Sequence, residues 1–198
     1  VREEINTGSR IDGLKLCGFS GNKPVLVVIG GSQGSEFINS AVRDVLKELL
    51  QIFQICHICG KGNINPEFNR QSGYKQFEYV DRELPDIFAC ADVFISRAGA
   101  TVLHEILTVK KPALLIPLSK NASRGDQILN AQSFHSQGYS DILMEENVTK
   151  ETLIKKIKEL YLNRNNYIKS MKSNKTGSAV ENIISIIEEI AENGNNSK

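Results

Sequence analysis

Short apolar runs alternate along the chain with longer segments in which apolar residues recur every three or four positions. The runs predict buried strands, and the periodic segments predict helices. The strand candidates are VLVVIG (25–30), FQICHIC (53–59), KQFEYV (75–80), DVFIS (92–96), ALLIPL (113–118) and SDILM (140–144). The helix candidates are EFINSAVRDVLKELL (36–50), LPDIFACA (84–91), TVLHEILTV (101–109), DQILNAQSFHSQG (126–138), TKETLIKKIKELYLN (149–163) and SAVENIISIIEEIAE (178–192), with a break around 164–177.

This alternation predicts an α/β fold in which a Rossmann-like parallel sheet is covered by helices on both faces. In such sheets, ligands bind beyond the carboxyl ends of the strands, near the point where the strand order reverses. We expect three regions: a linker and domain start over 1–24, the Rossmann-like domain over 25–192, and a flexible polar tail over 193–198.

Composition narrows the function classes. The chain has 198 residues, of which 40% are hydrophobic and 24% charged, with a formal net charge of +1. Nearly balanced charge gives no reason to expect nucleic acid as a partner. Cys56 and Cys59 form a CxxC, but it lies in a predicted strand, where side chains three apart face opposite ways. All four cysteines are therefore expected to be buried thiols. The sequence contains neither an 18-residue apolar run nor a signal-peptide pattern.

The loop 30-GGSQGS-35 joins the first strand to its helix. Paired glycines let a ligand approach the backbone, and the helix start offers N–H groups to an anion. The loop has neither the GxGxxG spacing nor the Lys-Ser/Thr of a P-loop. Two interpretations of this loop therefore remain open, a phosphate-binding site and a tight turn without a ligand.

The stretch 97-RAGATVLHEI-106 lies between two predicted strands. Its helix start at Ala100 and Thr101 suits a diphosphate, because unpaired amide groups and the helix dipole attract negative charge. Glu105 follows Thr101 by one helical turn, and its carboxylate could accept two hydrogen bonds from the vicinal diol of a ribose. The alternative is that Glu105 is an ordinary surface residue.

A third loop, 117-PLSKNASRGDQILNA-131, places Asp126, Gln127 and Asn130 near a helix start. Such side chains bind hydroxyl groups well, although Ser123 or Asp126 could equally cap the helix. The three histidines lie on three different elements and form neither a metal triad nor a catalytic set. All three loops fall at strand ends on one edge of the predicted sheet, and together they indicate a nucleotide-sugar site.

Several motifs resemble the carboxyl-terminal domain of the MurG family, which transfers N-acetylglucosamine (GlcNAc) from UDP-GlcNAc to make lipid II in peptidoglycan synthesis. The similar segments are GGSQGS, HICGKG (57–62), the block YVDRELPDIFACADVFISRAGATVLHEI, KKPALLIPL and NASRGDQILNA. The resemblance implies one half of a GT-B fold, namely the half that holds the donor. It also implies a peripheral enzyme on the cytoplasmic face of the bacterial membrane. The undecaprenyl-linked acceptor and the catalytic base would then belong to an amino-terminal half. The first residue, Val1, fits the expectation of a fragment, which alone should be inactive.

The resemblance also implies roles for particular residues. It assigns the glycine loop and a linker arginine to the donor diphosphate, the backbone at 79–80 to uracil, the helix start at 99–101 to the diphosphate, Glu105 to ribose, and 126–127 to sugar hydroxyls. The implied donor residues are Arg2, Gly31, Ser32, Gln33, Tyr79, Val80, Gly99, Ala100, Thr101, Glu105, Asp126 and Gln127. Two residues differ from the family pattern. Val102 stands where many members have a second threonine, and Asp126 stands where some members have glutamine. There is no DxD motif, in agreement with a family that needs no divalent metal or other cofactor.

Two other functions fit the same residues. The chain could be the donor half of a different GT-B enzyme, either a glycolipid glycosyltransferase or a subunit of the dolichol-linked GlcNAc transferase. It could also be a non-catalytic module that binds sugar nucleotides. Comparison of UDP-GlcNAc with UDP-glucose and UDP-galactose as ligands would separate these functions.

Overall fold

A computed structural model describes residues 3–31, 33–119 and 125–173 of the protein. Its strands are β1 (Val25–Ile29), β2 (Gln54–Ile58), β3 (Tyr74–Phe77), β4 (Val93–Ser96), β5 (Ala113–Leu115) and β6 (Ser140–Ile142). The α-helices are α1 (Arg10–Cys17), α2 (Glu36–Asp44), α3 (Leu46–Leu50), α4 (Leu84–Cys90), α5 (Ala100–Thr108), α6 (Asp126–Ser136), α7 (Lys150–Leu162) and α8 (Arg164–Ser173). Short 3-10 helices cover Glu3–Thr7, Pro66–Phe68 and Glu145–Asn147.

The six strands form one sheet in the order β3-β2-β1-β4-β5-β6, and every neighbouring pair is parallel. The chain builds outward from β1 to β3, then crosses back and builds outward again from β4 to β6. The order therefore reverses between β1 and β4, which is the topological switch point of a doubly wound sheet.

The core occupies both faces of this sheet. Along β1 all five residues are buried. Val25, Val27 and Ile29 pack with the α1, α4 and α5 side, whereas Leu26 and Val28 pack with the α2, α3 and α7 side. Burial on both faces explains why the strands are continuous apolar runs rather than alternating patterns. The sheet is thereby held rigidly, and its loops at the carboxyl edge have fixed starting points.

Part of the range expected to be linker and domain start is helical and lies on α4. Gly8 and Gly13 allow this approach, since a Cβ at Gly8 would lie 2.7 Å from Asp86 N, and one at Gly13 2.9 Å from Cys90 Cβ. The backbone N–H of Ser9 donates to Asp86 Oδ1 at 2.7 Å. Residues 3–17 are therefore fastened to the domain rather than trailing from it.

Two helix predictions need correction. The helix expected over 36–50 is divided into α2 and α3 at Val45, whose φ of −119° and ψ of 16° are not helical. The break expected at 164–177 contains α8. Met171 is buried, and Tyr167, one turn before it, is half-buried against the core, despite the polar residues around them. The predicted helix 178–192 and tail 193–198 lie outside the described residues.

Candidate functional site

A cavity of about 430 Å³ opens at the carboxyl edge of the sheet, where the loops after β1 and β4 diverge. Its walls come from five segments that are far apart in sequence. The lining residues are Ile29, Gly30, Gly31, Ile58, Tyr79, Val80, Leu84, Arg97, Gly99, Ala100, Thr101, Val102, Glu105 and Gln127. A volume of this size suits a small-molecule ligand.

The glycine loop forms one wall. Gly31 has a φ of 98° and an added Cβ would meet nothing within 4 Å, so its backbone faces open space. Gly34 also has a positive φ, and its N–H donates to Gly31 O at 3.0 Å. On its far side the loop lies against Gly60, where an added Cβ would lie only 2.6 Å from Gly34 Cα. The loop shape thus depends on close backbone contact that only glycine permits.

The amino terminus of α5 forms another wall. Gly99 occupies the N-cap position with extended backbone, and no side chain among the described residues caps this helix. The Asn130 side chain donates to Ala98 O at 3.1 Å and fixes the turn that leads into the helix. Uncapped amide groups at Ala100 and Thr101 are suited to a negatively charged ligand.

Glu105 lies one turn further along α5 and lines the same cavity, although only 4% of the residue is exposed. The interpretation of Glu105 as a surface residue is therefore wrong. The same cavity is also lined by the apolar side chains of Ile58, Val80 and Leu84 and by Tyr79, which is 59% exposed. The cavity therefore combines anion-attracting amide groups with apolar side chains against which a planar ring could pack.

Gln127 and Asp126 begin α6, but they occupy different environments. Gln127 lines the cavity, and its Oε1 accepts a hydrogen bond from Leu118 N at 3.2 Å. Asp126 is exposed and is not among the lining residues. Successive helical residues point about 100° apart, which explains the difference.

Arg97 is a functional candidate to which sequence reasoning assigned no role. Its side chain is 6% exposed and forms a 2.6 Å ion pair with Glu145, and it also donates to Ile116 O and Ser35 Oγ. The Phe37 ring covers the guanidinium, with 5.8 Å between Cζ and the ring centroid. An arginine directly after a buried strand was the available signal, but its partner Glu145 is 48 residues away in sequence.

The model of the glycosyltransferase family 28 C-terminal domain matches residues 25–187. This chain belongs to that family. A relative from Clostridium kluyveri, a UDP-N-acetylglucosamine--N-acetylmuramyl-(pentapeptide) pyrophosphoryl-undecaprenol N-acetylglucosamine transferase, is 53% identical over 95% of this chain. The chain covers 53% of that relative, so it spans about half the length of the curated relatives it matches.

Solved glycosyltransferases share the fold of this family 28 domain. The crystal structure of Acinetobacter baumannii MurG superposes with a TM-score of 0.73 at 20% identity, covering 93% of this chain and 54% of the other. The calicheamicin glycosyltransferase CalG4 gives a TM-score of 0.61 at 13% identity, covering 76% and 36%. The resemblance to the MurG family and the predicted fold class, a Rossmann-like half of a GT-B glycosyltransferase, are both confirmed.

Of the twelve predicted donor residues, eight line the cavity of this family 28 domain: Gly31, Tyr79, Val80, Gly99, Ala100, Thr101, Glu105 and Gln127. Gln33 and Asp126 are exposed beside it. Arg2 and Ser32 lie outside the described residues. The apolar lining residues Ile29, Ile58 and Leu84 were missed, because buried positions in strands and helices carry no sign of the cavity they border.

His57 is a buried titratable group with a structural role in this family 28 domain. His57 contacts Asn39 Oδ1 through Nε2 at 2.9 Å and the Tyr74 hydroxyl through Nδ1 at 2.7 Å. Asn39 Nδ2 donates to Cys59 O, so Oδ1 is left to accept from His57, and Nδ1 accepts from Tyr74. Burial lowers the pKa of His57 to about 3, which keeps the ring neutral.

The cysteines fit the expectation of buried thiols, since all four are free and buried. Within the described ranges, no cluster of three or more His, Cys, Asp or Glu side chains could hold a metal ion. Over the same ranges, no helix is long and apolar enough to cross a membrane.

Proposed function

We propose that this chain is the donor-binding half of an inverting N-acetylglucosaminyltransferase that converts lipid I to lipid II in peptidoglycan synthesis. In this reaction, GlcNAc passes from UDP-GlcNAc to the C4 hydroxyl of the N-acetylmuramyl unit of an undecaprenyl-linked acceptor. One observation carries the proposal: a single cavity at the switch point is lined by both the uncapped start of α5 and the buried carboxylate of Glu105. The name of the Clostridium kluyveri relative supports the choice of donor and acceptor.

The donor is proposed to lie with its diphosphate against the amides of Ala100 and Thr101. Charge develops on the leaving UDP during transfer, and preorganised N–H groups stabilise it where it develops. The backbone of Gly31, which is open to the cavity, and the Arg2 and Ser32 side chains would contribute further donors. These groups take the place that a divalent metal has in enzymes with a DxD motif, and we propose that the reaction needs no metal.

The nucleoside is proposed to occupy the rest of the cavity. Glu105 would accept hydrogen bonds from the two ribose hydroxyls, and uracil would lie against Val80 and the backbone of Tyr79. Gln127 and Asp126 would bind hydroxyl groups of the transferred sugar. The lining supports this arrangement, since it combines the anion-attracting α5 terminus with the apolar side chains of Ile58, Val80 and Leu84.

The acceptor and the general base are proposed to come from an amino-terminal half, because this chain spans about half of its relatives. We propose that the longer protein acts as a peripheral enzyme on the cytoplasmic face of the bacterial membrane. The 198-residue chain should therefore bind the donor weakly and transfer nothing. A transferase rate measured with this chain alone would contradict that division of roles.

Titration calorimetry of the 198-residue chain with UDP-GlcNAc, UDP-glucose and UDP-galactose tests the proposal. We expect UDP-GlcNAc to bind most tightly. Preference for a hexose without the acetamido group would favour a glycolipid glycosyltransferase, and no binding of any donor would favour a non-catalytic scaffold module.

The same titration applied to Glu105→Ala tests the ribose contact. The variant should lose UDP affinity by about 1–3 kcal/mol, the cost of leaving a hydrogen-bonding group without its partner. Glu48→Ala, an exposed carboxylate on α3 away from the cavity, is the matched control and should bind like the unaltered chain. Equal affinity of both variants would remove Glu105 from the proposed site.

A further inference from the structure

Four loops of the carboxyl edge meet at the guanidinium of Arg97. Nη1 donates to Ile116 O at 3.0 Å, in the segment after β5. Nη2 donates to Ser35 Oγ at 2.9 Å, at the end of the glycine loop, and to Glu145 Oε1 at 2.6 Å, after β6. Arg97 itself follows β4, so one side chain ties together every loop on the β4–β6 half of the edge and the loop after β1.

Glu145 extends this connection to the start of the β5–α6 loop. Its second oxygen, Oε2, accepts from Ser119 N at 3.1 Å. The neighbouring Leu118 N donates to Gln127 Oε1 at 3.2 Å. Segment 116–119 is therefore held by Arg97, Glu145 and Gln127 together, and the Gln127 side chain is itself fixed by this segment.

The nucleotide end of the cavity is held by different contacts. The turn before α5 is fixed by the hydrogen bond from Asn130 to Ala98 O, and the buried Leu103 and Ile106 anchor α5 to the core. Neither of these contacts passes through Glu145. Loss of the ion pair should therefore displace segment 116–119 and Gln127 much more than Glu105 or the α5 amides.

Energetics also favour a geometric role for this pair. The Arg97 and Glu145 side chains are only 6% and 15% exposed. Removing both charges from water costs roughly as much as their attraction returns, so such a pair adds little net stability. The planar guanidinium of Arg97 does, however, hold several acceptors in one fixed arrangement.

We propose that the Arg97–Glu145 pair is a positioning device that sets how strongly the site prefers the sugar nucleotide over the nucleotide alone. The inference rests on the proposed function, since it takes Gln127 as a ligand of the donor sugar. Neither Arg97 nor Glu145 needs to touch the sugar, because they act through segment 116–119 and Gln127.

Titration calorimetry with UDP-GlcNAc and with UDP tests this, using Glu145→Gln, because Arg97 also holds Ser35 of the glycine loop. The dissociation constant of UDP-GlcNAc should rise about tenfold or more in this variant, the size of one lost charge-assisted hydrogen bond, while that of UDP stays within about threefold. Glu146→Gln, an exposed neighbour, is the matched control and should leave both constants unchanged.

A second variant separates position from stability. Replacing the pair with apolar side chains, Arg97→Met with Glu145→Leu, should restore the melting temperature lost in Glu145→Gln, because no unpaired buried charge remains. The preference for UDP-GlcNAc over UDP should not return with it. Recovery of that preference would overturn the inference, as would equal weakening of both ligands in Glu145→Gln. Failure of the unaltered chain to bind UDP would instead overturn the proposed function and this inference with it.

Discussion

The close backbone contact between the glycine loop and Gly60 predicts a large difference between two neighbouring alanine substitutions. Gly60 and Gly62 have φ values of 92° and 74°, a region in which an L side chain is strained. An added Cβ at Gly62 meets nothing within 4 Å, whereas at Gly60 it would lie 2.6 Å from Gly34 Cα and 2.7 Å from Gln33 C. Both variants therefore introduce backbone strain, and only Gly60→Ala also introduces a steric clash with the glycine loop.

The magnitudes follow from these two effects. The strain costs about 1 kcal/mol in each variant. Carbon atoms in contact lie about 3.5–4.0 Å apart, so Gly60→Ala must push the glycine loop back by roughly 1 Å. Overpacking of this kind adds about 1–3 kcal/mol. The free energy of unfolding should fall by about 1 kcal/mol in Gly62→Ala and by about 2–4 kcal/mol in Gly60→Ala.

Thermal unfolding followed by circular dichroism, with parallel titration of UDP-GlcNAc, measures both consequences. For a domain of this size each 1 kcal/mol lowers the melting temperature by about 2–4 °C. Gly60→Ala should also bind UDP-GlcNAc about tenfold more weakly, because the displaced loop loses an amide contact, and Gly62→Ala should not. Equal melting temperatures and equal affinities in the two variants would refute the claim that Gly60 supports the glycine loop.

Three further predictions concern other parts of the molecule. The pKa of His57 is lowered to about 3 in the folded protein, so the unfolded chain takes up a proton at higher pH than the folded one. The free energy of unfolding should therefore fall as the pH drops from about 6.5 towards 3, by up to about 1.4 kcal/mol per pH unit. Urea unfolding of His57→Asn at pH 7 and pH 5 should show a shallower loss, and an equal loss would contradict this account. The four buried cysteines should react with a thiol reagent at pH 8 only after unfolding, since burial raises the pKa of Cys59 to about 11, and rapid labelling of the native protein would count against it. Val102→Thr adds a hydroxyl to the α5 terminus and should tighten UDP binding about threefold in calorimetry, whereas weaker binding would place the phosphates elsewhere.

The sequence carries most of the fold because this sheet is buried on both faces. Continuous apolar runs such as VLVVI identified the strands, and their alternation with periodic segments predicted that the sheet is parallel. Glu105 could be linked to the α5 start because both lie on one short helix, where spacing along the chain fixes spacing in the structure. Local features of this kind are readable without a structure.

Features that depend on distant partners were not predictable. The break at Val45, a buried residue, leaves no signal in the residues around it, which read as one helix. The helix α8 has few apolar residues, and two of them, Tyr167 and Met171, pack against the rest of the domain. Arg97 has no recognisable role until β4 and the segment after β6 are brought together by the sheet.

The glycine at the start of α5 links the occupancy of the cavity to the integrity of the helix itself. Serine, threonine, aspartate and asparagine are preferred at this position because their side chains accept from the first helical amides, and Gly99 has no side chain with which to do so. If the diphosphate takes those amides, the substrate acts as the cap of the helix and becomes part of the secondary structure while it is bound. The stability of the protein would then depend on the concentration of donor. At a donor concentration about a hundredfold above the dissociation constant, the free energy of unfolding would rise by about 2.7 kcal/mol. Without bound donor, this contribution to stability would be absent.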